Sequence, residues 1–484
     1  MAFTSHIFLF YFLPAFLLLY GLVPRRWPAV RNVVLLAAGY VFYAWADWRF
    51  ASLLLGTTLA NYVLSRVIAA TRGQTTRLFW TGCAIVMDLA VLGFFKYAGF
   101  VEENLNRVLL WTGCDALPVF RVLLPVGISF YTFKIVGYVV DVYRGRPPAR
   151  SLLDFACYVS FFPQLLSGPI QRYNTLDPKA EPMPTFADQL VGRVHTLDKF
   201  SRGVALFILG FAKKTLLANA AGQVADAVFA AASPGTLDAW FGTVAYSFQL
   251  YFDFSAYSEM AIGIGLMLGF ECPRNFDAPY RADSITDFWR RWHISLSSWL
   301  RDYLYIPLGG SRAGVARTYA NLMIVFLLCG LWHGAGWTFI VWGAWHGLWL
   351  IVERVCRGMG STGRTGPMGP MRLHASRLAT FALIALGWVV FRATDLSEAG
   401  RIFAILFWPR AAEGGSILLS AMIYTRGHLI LMALCALLVF QPLQGFDWVR
   451  RLTWPKVLIL IVLSAVSVMT MFAQSFRSFL YFQF

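Results

Sequence analysis

Charge is what this sequence has least of. Only 14% of its 484 residues are Asp, Glu, Lys or Arg, against roughly a quarter in a soluble domain, and mean hydropathy is +0.59. That balance excludes a soluble globular protein. Familiar catalytic signatures are missing as well: no G-x-S-x-G nucleophile elbow, no H-E-x-x-H and no P-loop. Gly263, Gly265 and Gly269 do not fit G-x-G-x-x-G and lie in an apolar helix, where close helix packing is the expected role. The seven cysteines are odd in number and form no C-x-x-C. They indicate neither a disulfide framework nor a thiolate metal site and read as small core residues. The net charge of +16 is scattered through short loops. No basic block interleaves with exposed aromatics as a nucleic-acid groove would require, so no nucleic-acid partner is expected. Basic loops of this kind instead mark the cytoplasmic side of a membrane. No repeat with a period of tens of residues is present.

Long apolar runs recur from end to end, which places the chain among all-α polytopic membrane proteins. Residues 7–23, 30–45, 50–70 and 78–97 are the first spans. The first lacks a basic n-region and an A-x-A site and is read as a retained span. Arg25, Arg26 and Arg31, then Arg72 and Arg77, place those loops in the cytoplasm and the N-terminus outside. Alternation to the last span, 457–472, puts the C-terminus outside too. The expected home is a bacterial inner membrane, with the lipid bilayer as constant partner.

Several segments are too polar or too broken for simple spans. In 121–143, Pro125 and Gly127 interrupt and Lys134 sits mid-run, which a membrane tolerates only against protein or a water-filled cavity. Residues 155–173 carry Pro163 and Gly168-Pro169 and read as re-entrant. Residues 174–201 read as a polar surface loop, and 203–220 carry Lys213-Lys214. In 239–270, Gln249, Asp253 and Tyr257 recur every four residues, drawing one hydrogen-bonding helix face. Asp253 either holds helices together or lines a substrate path. Residues 354–377, with five arginines, read as a flexible cytoplasmic linker, followed by crossings at 378–391 and 429–440. The reading is one membrane domain of roughly eleven or twelve crossings. Its parts are N-terminal helices (1–120), a core (121–353), the linker (354–377) and C-terminal helices (378–484).

Residues 275–349 organise the chain. SITDFWRRWHISLSSWLRDYLYIPLGG is aromatic and basic at once, with apolar residues at Ile285, Phe288, Trp292, Leu296, Trp299 and Tyr303 drawing one helix face. Ser284 and Asp287 resemble a capping box at its start. Such a helix over 284–305 suits the membrane–water boundary. His293 sits on its rim. GLWHGAGWTFIVWGAWHG then places His333 between Trp332 and Gly334, where flanking glycines would let the backbone approach a ligand. A neutral imidazole in a low-dielectric site can take a hydroxyl proton near neutral pH. His346 reads as a satisfied packing residue, and His6, His195, His374 and His428 as solvated. His293, His333 and His346 have no i, i+4 pair and no nearby acid, so no metal site is expected. Trp332, Asp253, Tyr257, Gln249, Arg290, Arg291 and Trp289 are candidates for the substrate path.

The runs NFDAPYRADSITDFWRRWHISLSSWLRDYLYIPLGG and GLWHGAGWTFIVWGAWHG resemble the signature of the membrane-bound O-acyltransferases, in the bacterial branch that acetylates alginate. PVGISFYTFKIVGYVVDVYRG, FFPQLLSGPIQRY, YFDFSAYSEMAIGIGLMLGF and the terminal YFQF match as well, and 376–484 matches more loosely. The resemblance implies a ring of transmembrane helices thinned at its centre. It implies His333 as the catalytic histidine and His293 as the second polar position. It further implies a cytoplasmic thioester donor, acetyl-CoA or an acyl-carrier protein, and no permanently bound cofactor. A periplasmic acetyltransferase of the SGNH type would be the partner, and an exopolysaccharide such as alginate the final acceptor. Two alternatives stand beside it: D-alanyl transfer to teichoic acid from a carrier protein, and a transporter or flippase using Lys134, Asp253 and Glu259. The absence of an inverted repeat speaks against the last.

Overall fold

The computed structural model describes residues 1–119, 122–174, 183–359, 369–408, 416–474 and 479–480, and among these the regular structure is helical. Helices are numbered α1–α18 in chain order. Seven are long and apolar enough to cross a membrane, and three shorter apolar helices join them, so the chain is an all-α polytopic membrane protein. Two compact units are distinguished by their internal contacts.

The first unit comprises Met1–Phe207 and Met260–Pro273. It holds α1 (Phe8–Leu22), α2 (Pro28–Ala44), α3 (Arg49–Ala70), α4 (Gln74–Trp111), α5 (Ile128–Tyr143), α6 (Leu152–Val159), α7 (Phe186–Gly192) and the start of α8 (Leu197–Ala230). Pro28 opens α2, where its missing N–H is no loss. The charge expected to need protein around it, Lys134 on α5, is buried; its Nζ donates to the Tyr158 carbonyl at 2.5 Å and lies over the Tyr158 ring. Residues 155–173, expected to be broken, form the end of α6, a single 3-10 turn at Phe162–Gln164 and irregular buried backbone. Of residues 174–201, read as a surface loop, 175–182 lie outside the described residues, and the remainder is partly helical. Thr185 and Asp188 close a full capping box that starts α7, and α8 begins at Leu197. His195, expected to be solvated, packs against Tyr20 and Gly269, and burial with nearby arginines lowers its pKa to about 4. A side chain on Gly263 would meet the Gly203 carbonyl at 2.7 Å, so the packing role expected of Gly263 holds.

The second unit comprises Ile208–Glu259 and Arg274–Leu480. It holds the rest of α8, most of α9 (Thr236–Met267), then α10 (Ile285–Arg291), α11 (Ile294–Leu300), α12 (Val315–His333), α13 (Trp337–Met359) and α14 (Pro370–Arg392). After these come α15 (Leu396–Phe407), α16 (Ser416–Ile423), α17 (Arg426–Phe440) and α18 (Trp454–Ala473). Helices α15 and α16 were not anticipated. The arginine-rich linker is shorter than expected, since α13 runs to Met359 and α14 starts at Pro370; residues 360–368 lie outside the described residues. The core of this unit is aromatic, with Trp292, Trp342, Trp388, Tyr246, Tyr257 and Tyr280 fully buried. Helices α12 and α13 pack as a hairpin in which a Cβ on Gly330 would strike the Phe339 carbonyl, and one on Gly343 the Phe326 carbonyl. Glycine at both crossings lets the backbones touch.

Candidate active site

The expected single helix over 284–305 is instead two short helices with a break at His293. Ser284 Oγ accepts from the Asp287 N–H at 3.2 Å and starts α10 as expected. The break arises because His293 adopts φ +44°, a left-handed conformation costing a non-glycine residue about 1–2 kcal/mol. Asn275 holds it there. The Asn275 carbonyl accepts from the Ile294 N–H at 2.9 Å. Its side-chain Oδ1 accepts from the Ser295 N–H at 3.3 Å and the Ser295 hydroxyl at 2.9 Å, and lies 3.1 Å from His293 Nδ1. Asn275 Nδ2 donates to the Ser258 hydroxyl of α9 at 3.1 Å. Since Oδ1 already accepts a backbone N–H, Nδ1 of His293 carries the proton and Nε2 the lone pair. Complete burial lowers the His293 pKa to about 3, so the ring is neutral.

His333 is the last residue of α12 and is buried. It packs edge-on against Trp342 at 5.0 Å and Phe391 at 5.4 Å between ring centroids, with Trp332 at 4.9 Å. Trp332 in turn lies 6.1 Å from the His293 ring, and Trp342 lies 4.9 Å from His346. Three imidazoles and two indoles therefore alternate: His293, Trp332, His333, Trp342, His346. The glycine expected to open the WHGAG turn to a ligand does otherwise. The Phe339 ring fills the space beside Gly334. His346 is not the satisfied packing residue expected either. It is fully buried among Trp289, Trp342 and Trp388, and neither ring nitrogen has a hydrogen-bond partner among the described residues.

The candidates for the substrate path separate. Trp332 and Trp289 belong to the aromatic layer, Trp289 meeting His346 at 5.0 Å. Arg290 is exposed, and Arg291 pairs with Asp287 at 2.8 Å. Phe254 of α9 touches His293 at 4.7 Å, while Asp253 and Tyr257 point to the neighbouring face. There Asp253 forms a 2.5 Å ion pair with Lys214, both side chains almost fully buried. Its other oxygen accepts from the Leu480 N–H at 2.8 Å. Phe479 packs on Tyr257 at 5.0 Å and lies under the Lys214 ammonium. Gln249 is buried, and its Oε1 has no partner among the described residues. Of the two roles open to Asp253, holding elements together is the one the contacts describe.

The model of the membrane-bound O-acyltransferase family matches residues 140–375, which include both His293 and His333. Over its full length the chain is 44% identical to a probable alginate O-acetylase of Pseudomonas putida, covering 100% of both chains. A probable alginate O-acetylase of Pseudomonas aeruginosa is 48% identical over 84% of this chain and 75% of its own. A peptidoglycan O-acetyltransferase of Helicobacter pylori is 37% identical over 83% of this chain and 78% of its own.

The chain belongs to the membrane-bound O-acyltransferase family. It is therefore an acyltransferase, and the resemblance read from its aromatic motifs is borne out. In this O-acyltransferase the sequence pointed to both histidines but not to what holds them. Asn275, Ser258 and Ser295 gave no signal beyond being polar residues next to apolar runs. The partner of Asp253 was legible only as the dilysine 213–214, without its register.

Proposed function

We propose that this enzyme takes an acetyl group from acetyl-CoA on the cytoplasmic side of the inner membrane and delivers it outward for O-acetylation of an exopolysaccharide such as alginate. A periplasmic SGNH-type acetyltransferase would complete the transfer. The observation that carries this reading is the full-length likeness to proteins named as probable alginate O-acetylases. His333 is the general base. Its imidazole removes the acceptor hydroxyl proton as that oxygen attacks the thioester carbonyl. When the tetrahedral intermediate collapses, the C–S bond breaks and the thiolate takes the proton back from His333. The cycle neither consumes nor releases a proton, so a base sealed among Trp332, Trp342 and Phe391 suffices. His333 ends α12, where the helix dipole favours the transient imidazolium. His293 orients substrate rather than neutralising charge. It is neutral with Nδ1–H committed to Asn275, so its Nε2 offers a lone pair to a donor such as an amide N–H or a hydroxyl.

The test is label transfer from radiolabelled acetyl-CoA by purified protein in detergent, wild type beside His333→Ala. We expect wild-type release or transfer, and a loss of about 10²–10⁴-fold in the variant. Full activity in a folded His333→Ala protein would remove the base assignment. Turnover only with a D-alanyl carrier protein would replace the acetyl reading with the teichoic-acid one. No turnover with either donor, with the SGNH-type partner also added, would favour a transporter.

A further inference from the structure

Away from the histidines, α9, α14, α16 and α17 enclose a groove of about 920 Å³ in the second unit, near the upper end of the range in which small-molecule ligands are held. Its walls are Val244, Phe248, Phe381, Met432, Ala436 and Phe440, and its polar groups gather at one end around Asp238 and Tyr424. At that end the helices turn. Asp238 lies in the first turn of α9, just after the span Leu197–Ala230, and Tyr424 lies in the connection between α16 and α17. From Asp238 to Phe248 the wall formed by α9 runs about 15 Å, and α17, which ends at the lining residue Phe440, is about 22 Å long. The groove is long enough to hold an alkyl chain.

The carboxylate at its head is unusual. Asp238 is only 4% exposed, yet it forms no ion pair with any described residue. Oδ2 accepts from the Gly235 N–H at 3.1 Å and Oδ1 from the Tyr424 hydroxyl at 2.8 Å. Those bonds cap α9 and use two of about four acceptor positions of the carboxylate. A long apolar slot, headed by a carboxylate that pairs with no cation among the described residues, matches a ligand with long alkyl tails and a cationic hydrogen-bond donor. We propose that this groove binds a phospholipid with a primary-amine headgroup, its ammonium on Asp238 and an acyl chain along Val244, Phe248, Phe381 and Phe440. An anionic lipid would place its charge against Asp238, so the site discriminates by charge. This inference is independent of the acetyl-transfer reading.

Delipidated protein would be titrated with palmitoyl-oleoyl phosphatidylethanolamine or phosphatidylglycerol and bound lipid counted by native mass spectrometry. We expect phosphatidylethanolamine to bind at least tenfold more tightly. Ala436→Trp, which fills the groove, should weaken both lipids tenfold or more. Asp238→Asn should reduce the preference below threefold. Because Asp238 also caps α9, Tyr424→Phe is the companion variant: it removes the phenol, keeps the carboxylate and should keep the preference. Equal binding of the two lipids to wild type would overturn the headgroup assignment. Unchanged binding in Ala436→Trp would overturn the groove itself.

Discussion

His293 combines a left-handed backbone, complete burial and a polar anchor in Asn275, and each has a measurable consequence. Its folded pKa of about 3 lies below the roughly 6.5 of an unfolded histidine. Above pH 6.5 neither state is protonated and the group contributes nothing to the pH dependence. As pH falls below 6.5 the unfolded chain gains a proton that the folded one refuses, so stability is lost, by about 2 kcal/mol at pH 5. Denaturation midpoints in detergent at pH 7.5 and pH 5 should therefore diverge more for wild type than for His293→Gln. A parallel acid response in the two proteins would contradict the buried neutral ring. The anchor has its own test. Asn275→Ala removes the acceptor for His293 and Ser295 together and should cost about 1–3 kcal/mol. If His293 orients the donor, KM should also rise for this variant while kcat stays in place. An unchanged KM would leave Asn275 with a structural role alone.

Helices are held here by close backbone contact and by buried charge pairs such as Lys214–Asp253, and the two respond differently to substitution. Gly330→Ala or Gly343→Ala puts a methyl group into a facing backbone carbonyl that cannot rotate away. Either should separate α12 from α13, lower thermal stability by about 1–3 kcal/mol and reduce activity by displacing His333. Normal stability in both variants would mean that the hairpin is looser than its glycines imply. The Lys214–Asp253 pair predicts non-additivity. Lys214→Met alone strands the Asp253 carboxylate and should cost about 3–5 kcal/mol, while adding Asp253→Leu should recover much of that loss. Strictly additive losses, read from unfolding midpoints, would argue against a direct pair. This scale also shows what the sequence could reveal. The long spans were legible because the middles of α3, α14 and α18 are apolar; the ends of α3 and α18 moved by three residues or fewer, whereas α14 starts eight residues earlier, at Pro370, through a turn carrying Arg372 and Arg377. The break at His293 was not legible, because the apolar spacing across 285–303 fits one helix as well as two. What decides between them is Asn275, whose hydrogen bonds to residues 18 and 20 positions away leave no periodic trace. His333 was legible from its motif, whereas the filling of the Gly334 turn by Phe339 depends on how α13 leaves the turn.

At the scale of the molecule, the scattered arginines predict an orientation that two exposed cysteines can test. Cys114 follows α4 and Cys356 lies near the end of α13. With the N-terminus outside, a membrane-impermeant maleimide should label Cys114 in intact spheroplasts and reach Cys356 only in inverted vesicles. The opposite pattern would invert the topology and, with it, the side proposed for the thioester donor. Cys157, Cys272, Cys329 and Cys435 are buried and should stay silent from both sides.

The hydrogen bond from Leu480 to Asp253 spans 227 positions of chain. During biosynthesis the ribosome and insertion machinery must therefore release α9 into the membrane with that carboxylate opposite Lys214 but without its contact to Leu480. The nascent chain carries this provisional charge pair through the insertion of every later helix. Maturation of the second unit then waits on Leu480, so chains truncated before that residue should carry inserted helices around an unfinished interior.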